Sequence, residues 1–261
     1  MDAVLHSRLP DGPVRGRPLL FVHGAWHGAW CWEDYVLPWF AGRGYPAHAV
    51  DLRGHGDAPG DRPLRRTRIS HFVADLAAAV EQIGEVPILI GHSMGGLVVR
   101  HYLEDHEVPG AVLVAPVPVR GALGVTLRVA RRHLPAFVEA NLTMRLWPVV
   151  GTPDRAREYL FGDDMAPTEF TRHFARLQDE SYRAYLDMVF LRPGPPRIPA
   201  PVLVVAAGFD RLFTAAEMES TAAACGADLV TVPGAAHDLM IDARWAEMAE
   251  AIEAWIRRLP A

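Results

Sequence analysis

Cysteine is scarce in this 261-residue chain, with only Cys31 and Cys225, far apart. That spacing fits no metal site and no disulfide framework, so each reads as a small buried or half-buried apolar residue. No uninterrupted apolar run is long enough to span a bilayer. Long runs of one charge are missing too: 26 basic residues face 31 acidic ones, for a net charge of −5. A nucleic-acid partner is therefore not expected. Met1 to Pro10 lacks the charged start and apolar run of a signal peptide. Internal repeats and low-complexity segments are lacking as well. The expectation is a soluble cytoplasmic protein without integral membrane association. Half of the residues are hydrophobic, enough for one large α/β domain with a well-buried core.

Short apolar runs alternate with helical spacing. Residues 3–9 suit an edge strand. Pro18 to Val22, Ala47 to Val50, Ile88 to Ile90, Ala111 to Val114, Pro201 to Val205 and Asp228 to Val232 suit the others. Between them, Trp32 to Phe40 has helical spacing, stopped by Gly42 and Gly44. Another helix spans about 71–83, with Ser70 as a fair N-cap. Further helices follow Ser93, cover about 215–225 up to Gly226, and close the chain over about 242–258. Such alternation predicts an α/β fold with a mainly parallel central sheet flanked by helices. From about Arg120 to Arg197 no strand-like run appears. The spacing predicts one helix within 122–147, one from Thr152 to Phe161 and one over 168–190. Some 75 residues is long for one crossover. The simplest organisation is a core of 1–119 and 198–261, with a helical cap of 120–197 inserted before the penultimate strand.

The strand at Ile88 breaks at Gly91-His92-Ser93-Met94-Gly95, and a helix follows. G-x-S-x-G on a strand-to-helix turn lifts the serine hydroxyl above the sheet. The alternative is a glycine-rich turn with an ordinary serine. Ligands of parallel sheets sit beyond the strands' carboxyl ends. His23-Gly24, Ser93, Asp210 and His237 fall there, from four different strands. A serine hydroxyl needs a base within reach, and histidine suits it. A buried carboxylate fixes the imidazole and stabilises its cation. His237 follows the last strand at a glycine-marked loop. His23, His27, His48 and His55 precede the serine. His92 sits inside the elbow and is expected to pack against neighbouring loops. His6, His71, His101, His106, His133 and His173 read as surface or packing residues. Asp210 ends the penultimate strand; Asp228 lies at the wrong end of one. Asp238 and Asp242 read as caps or surface charges. The order Ser93, Asp210, His237 is that of an α/β-hydrolase arrangement. The backbone N–H of Met94 and one from Gly24-Ala25 would bind the oxyanion.

His23-Gly24, Asp51 to Gly56, Gly91 to Gly96, Gly208-Phe209-Asp210 and Gly234 to His237 together resemble the α/β-hydrolase superfamily, from about residue 18 onward. His23 to Trp32 is similar to the plant methylesterase and hydroxynitrile lyase branch, which implies Ala25 as the second oxyanion donor. Asp51 to Gly56 is similar instead to the wider esterase and lysophospholipase-like branch. Two departures matter. The lyase branch has lysine directly after the catalytic histidine; here Asp238 stands there, against cyanohydrin chemistry. Many members carry proline four residues after the catalytic acid; here it is Thr214.

Trp26 and Met94, beside the oxyanion loop, are the expected substrate contacts. Phe137, Trp147, Tyr159, Phe161, Phe170, Phe174, Tyr182 and Tyr185 could line an apolar pocket or pack the cap onto the core. Arg128, Arg131 and Arg132 could meet an anionic substrate, or form a solvated helix face. The expected function is hydrolysis of a carboxylic ester, lactone or thioester of an apolar small molecule through an acyl-enzyme. No metal and no cofactor are expected. Acyl transfer, lyase or cyclase chemistry, or a small-molecule receptor, are the alternatives. Leaving group and oligomeric state have no sequence signature.

Overall fold

The computed structural model describes residues 3–190 and 198–260. Residues 191–197, the end of the expected cap, lie outside the described residues, as do 1, 2 and 261. Seven strands form one sheet: β1 Val4–Arg8, β2 Leu19–Val22, β3 Ala47–Asp51, β4 Ile88–His92, β5 Ala111–Val114, β6 Val202–Ala207 and β7 Asp228–Val232. Their order is β1-β3-β2-β4-β5-β6-β7. β1 runs antiparallel to β3, and every other pairing is parallel. β2, β4 and β5 are buried at every residue. Strands covered on both faces need unbroken apolar runs rather than alternation. Each fully buried Leu, Ile or Phe contributes roughly 1.5–3 kcal/mol. β1 and β7 lie at the edges and are largely exposed or half-exposed.

The chain passes from β2 out to β3, then back across β2 to β4. The register Val22↔Gly91 brings the loops after β2 and β4 side by side at the carboxyl edge. A crevice at such a reversal is where ligands of α/β sheets sit.

Several helix expectations are corrected. Trp32 to Phe40 is two short helices, α1 Trp30–Glu33 and α2 Val36–Ala41. Pro38 lacks the N–H that would bond the Asp34 carbonyl, and its ring crowds that carbonyl. α3 is Ile69–Ile83, and Ser70 lies inside it, exposed, rather than capping it. Its start is satisfied by one distant and one local group: the Ile69 N–H donates to Asp187 at 3.2 Å, and the Arg68 N–H to His71 Nδ1, one turn on, at 2.9 Å. α4, Met94–Tyr102, follows β4.

Among the described residues, six helices lie between β5 and β6: α5 Leu123–Arg132, α6 Leu134–Thr143, α7 Trp147–Val150, α8 Pro153–Tyr159, α9 Pro167–Phe174 and α10 Tyr182–Phe190. The single helix expected in 122–147 is two, parted at His133, because Pro135 cannot donate back to Arg131. The helix expected over 168–190 is also two. Its middle turns inward to bond the core: the Gln178 N–H donates to Trp26 O at 3.0 Å, and Ser181 Oγ to Thr67 O at 2.6 Å. After β6, α11 Ala215–Cys225 is capped by Thr214, whose Oγ1 accepts the Glu217 N–H at 3.2 Å. α12, Trp245–Ile256, starts later than expected, and Asp242 folds back before it to accept the N–H groups of Ala236 and Arg244. Among the described residues no helix is long and apolar enough to cross a membrane.

Candidate active site

Ser93 stands between β4 and α4 with φ 51° and ψ −113°, a region that side chains with a Cβ avoid. Packing imposes it. A Cβ at Gly95 would run into the carbonyl oxygens of Val22 and His23, and one at Gly91 would lie 2.5 Å from the Gly95 carbonyl oxygen. The Ser93 N–H donates to Val114 O at 2.9 Å, and its own carbonyl accepts from Val117 at 3.1 Å. Both sides of the turn are thus tied to β5 and the loop beyond it.

The loop after β7 carries His237, and the loop after β6 carries Asp210. His237 Nε2 lies 3.0 Å from Ser93 Oγ, and Nδ1 lies 2.8 Å from Asp210 Oδ2. A carboxylate only accepts, so the proton belongs on Nδ1 and Nε2 is left to accept from the serine hydroxyl. Asp210 Oδ1 accepts the N–H groups of Leu212 at 2.7 Å and Phe213 at 3.0 Å, which holds its ring-facing oxygen in place. Burial disfavours a charged His237, but Asp210, and then Asp238, outweigh it and raise the imidazole above its ordinary range. The three side chains expected from chain order therefore meet in one hydrogen-bonded line.

Ala25 and Met94 border the same cavity as Ser93. Among the described residues, neither of their backbone N–H groups donates to another protein group. The Met94 N–H also opens α4, where the helix dipole favours negative charge. Next to Ala25, Trp26 has φ 67°, rare for a bulky residue. Its carbonyl is the one that takes the Gln178 N–H.

Of the early histidines, His23, His27 and His55 are buried supports, and half-buried His48 lies 2.8 Å from Ser7 Oγ. His23 Nδ1 donates to Gly24 O at 2.8 Å, and Nε2 accepts the Leu52 N–H at 3.2 Å. Burial, then nearby His55, hold it well below its ordinary range, so it is neutral. His55 Nε2 lies 3.0 Å from Glu180, both side chains fully buried. His92 packs as expected, with Nε2 3.1 Å from the His237 carbonyl. Burial, then the nearby His237 imidazole, lower it to about 3. Asp238 and Asp242, expected as caps or surface charges, are 1% and 2% exposed. Asp242 caps backbone as that reading allows; Asp238 does not, and its burial corrects the surface reading. Neither the Asp238–His27 contact nor Glu180 was visible as a site element, because burial across distant segments leaves no local spacing. The trio His92, His237 and Asp238 has ligand atoms within 4.8 Å of one another. Both His237 nitrogens already have partners, so these residues do not form a metal cage.

A cavity of about 90 Å³ opens on Ser93. Trp26 and Met94 line it, beside Leu212 and Phe213. Its far wall comes from α5, α6 and α10, through Val125, Val129, Phe137, Ala140, Tyr185 and Met188. Of the eight aromatics considered as lining, Phe137 and Tyr185 border it; Phe170 stacks on Phe174 and meets Phe161 edge-on. Arg128 and Arg132 are paired with Glu217 and Glu158. They lie on a separate groove, as does Arg131.

The alpha/beta hydrolase family matches residues 19–251. The chain belongs to that family. Among curated relatives, it is similar to a rice protein named Probable esterase PIR7A (Oryza sativa subsp. indica). The two are 35% identical over 138 residues, 50% of this chain and 52% of that one. Methyl jasmonate esterase 1 of Vitis vinifera is 37% identical over 39% of this chain and 40% of its own. The chain thus spans about half the length, or less, of these relatives. A monoacylglycerol lipase of Paleococcus ferrophilus superposes with a TM-score of 0.74 at 24% identity, over 98% of both chains. That likeness shows the fold, a mainly parallel sheet flanked by helices as expected from the sequence.

Proposed function

We propose that this chain hydrolyses carboxylic esters of apolar small molecules through an acyl-enzyme on Ser93. The observation that carries the reading is the line from Ser93 Oγ through His237 to Asp210, with contacts of 3.0 and 2.8 Å. His237 Nε2 takes the Ser93 proton as Oγ attacks the ester carbonyl carbon. The carbonyl oxygen becomes an oxyanion facing the N–H groups of Ala25 and Met94. Each such donor is worth about 100- to 1000-fold in rate. Collapse expels the alcohol, which receives the proton from His237. Water, activated by the same imidazole, then releases the acid. The apolar lining between Trp26 and Met188 suits an apolar acyl or aromatic group. The helical block, with bounds at 120 and 197, acts as a cap that supplies this wall. The esterase names of the relatives support the same reaction class.

The test is Ser93→Ala with short p-nitrophenyl esters, beside fluorophosphonate treatment of the unaltered protein. The expected outcome is loss of at least about 10⁴-fold in turnover, and one covalent adduct on Ser93. Full turnover by the alanine variant would remove the mechanism.

A further inference from the structure

Behind the Ser93 line lies a second buried histidine–carboxylate pair that the steps above leave unused. Asp238 follows His237 directly, and its Oδ2 lies 3.0 Å from His27 Nε2, with side chains 1% and 0% exposed. The contact is close but not aligned as a hydrogen bond, and neither Asp238 oxygen has a donor among the described residues. A bare carboxylate there would be costly, so a cation should face it. The geometry supplies one. His27 Nδ1 lies 2.7 Å from the Ala25 carbonyl oxygen, which can only accept, so Nδ1 is protonated. At 3.0 Å from a carboxylate oxygen, proximity alone favours a proton on Nε2 as well. The pair is an imidazolium against a carboxylate.

Its direction matters. An Asp238 oxygen and a His237 ring nitrogen lie within 4.8 Å. The other end, His27, bonds the carbonyl of Ala25, a residue that borders the cavity beside Ser93. In the tetrahedral intermediate His237 is positive and the substrate oxygen negative. The pair's negative end lies near the first. A fixed carboxylate there stabilises the imidazolium without reorganising. The other titratable neighbours bring little opposing charge. His92, at the end of β4, is neutral; from α9, His173 is lowered by burial, then by Arg172; from α1, the Cys31 thiol is raised by burial, then by Asp238. Next to Ala25, His23 is neutral as well. Asp210 faces His237 from the opposite nitrogen. The Asp238 N–H donates to Leu160 O at 3.0 Å, which holds the residue in place.

We propose that Asp238 and His27 form a positioning pair: its carboxylate end stabilises protonated His237, and His27 anchors that carboxylate to the loop after β2 through the Ala25 carbonyl. The proposal rests on the Ser93 hydrolase reading. The experiment measures the rate of Ser93 modification by a fluorophosphonate between about pH 5 and 9, for the unaltered protein and for Asp238→Asn. The asparagine keeps the size of the side chain and can donate to a neutral His27, so the charges go and the packing stays. The acid limb of the rate profile should move to lower pH by about half a unit or more, because the imidazolium loses a nearby anion. The plateau should fall about tenfold, a drop that a purely structural role could also give. An acid limb within about 0.2 pH units of the unaltered protein's overturns the proposal. If Asp238→Asn does not fold, the double variant Asp238→Asn/His27→Gln, which buries no charge, is judged by the same limb. Failure to label the unaltered protein at Ser93 would overturn the hydrolase reading instead.

Discussion

Ser93 and its surroundings are held by backbone packed to contact, whereas the helices between β5 and β6 are held to the core largely by side chains, with backbone ties at Gln178 and Leu160. At the sheet edge, Gly91 and Gly95 let neighbouring carbonyls close in, and Ser93 keeps a strained φ of 51°. Across the block, the ties are Arg68 to Asp187 at 2.8 Å, His55 to Glu180 at 3.0 Å and Gln178 Nε2 to Gly54 O at 2.8 Å. A backbone turn sets an atom's position to tenths of an ångström. Side-chain ties set whether a helix stays docked and what wall it offers. Changes at the edge should therefore abolish chemistry in a folded protein, and changes in the block should alter stability or substrate choice while the chemistry survives.

The largest effect should come from Asp210→Asn. Oδ1 can still accept from Leu212 and Phe213, so the loop should stay folded. The amide, however, presents an N–H to His237 Nδ1 and favours the wrong tautomer, leaving Nε2 protonated toward Ser93. A loss of about 10⁴-fold in kcat is expected, with the melting temperature little changed. Turnover within tenfold of the unaltered protein would take Asp210 out of the line and return the question to the other carboxylates.

Glu180→Gln asks the opposite question of the block. His55 Nδ1 lies 3.3 Å from Arg53 O and Nε2 3.0 Å from Glu180, so both nitrogens face acceptors. Burial disfavours a charged His55, but Glu180 outweighs it and raises the imidazole above its ordinary range. Breaking a buried pair by removing one partner's charge costs about 3–5 kcal/mol. The sign with pH follows from the raised imidazole. Its stabilisation is fully present below the unfolded value of about 6.5 and is lost as pH climbs through the higher folded value. The gap in melting temperature between the unaltered protein and Glu180→Gln should thus be widest in mild acid and narrow with rising pH. Fluorophosphonate labelling of Ser93 should persist wherever the variant is folded. A gap that widens with pH would mean His55 is neutral in the fold.

The same contrast explains what could be read from the chain alone. Strand runs such as Ile88–Ile90 and turn glycines such as Gly91 and Gly95 act over a few residues, so the sheet edge and the order Ser93, Asp210, His237 were legible. Helix breaks in the block arise from contacts far away in sequence. Periodicity runs smoothly through 168–190, yet Gln178 and Ser181 are drawn to Trp26 and Thr67 and split it. Ser70 has good capping chemistry, but Asp187 reaches the Ile69 N–H and starts α3 earlier. Asp238 looked like a surface charge because nothing adjacent to it announces that His27, 211 positions away, is buried against it.

The smallest effect belongs to the cavity wall. Phe137 on α6 borders the cavity without touching the Ser93 line. Each methylene buried in such a site is worth about 0.8 kcal/mol, close to fourfold. Across p-nitrophenyl esters of rising acyl length, kcat/KM of the unaltered protein should climb by about that factor per carbon until the wall is met. Phe137→Ala removes part of that wall. The optimum should move to longer chains by about two carbons or more, while the shortest ester keeps its kcat within about twofold. An unmoved optimum would mean the acyl group lies elsewhere. A collapse of kcat on the shortest ester would mean the block shapes the chemistry as well as the wall, and the division between edge and block would fail.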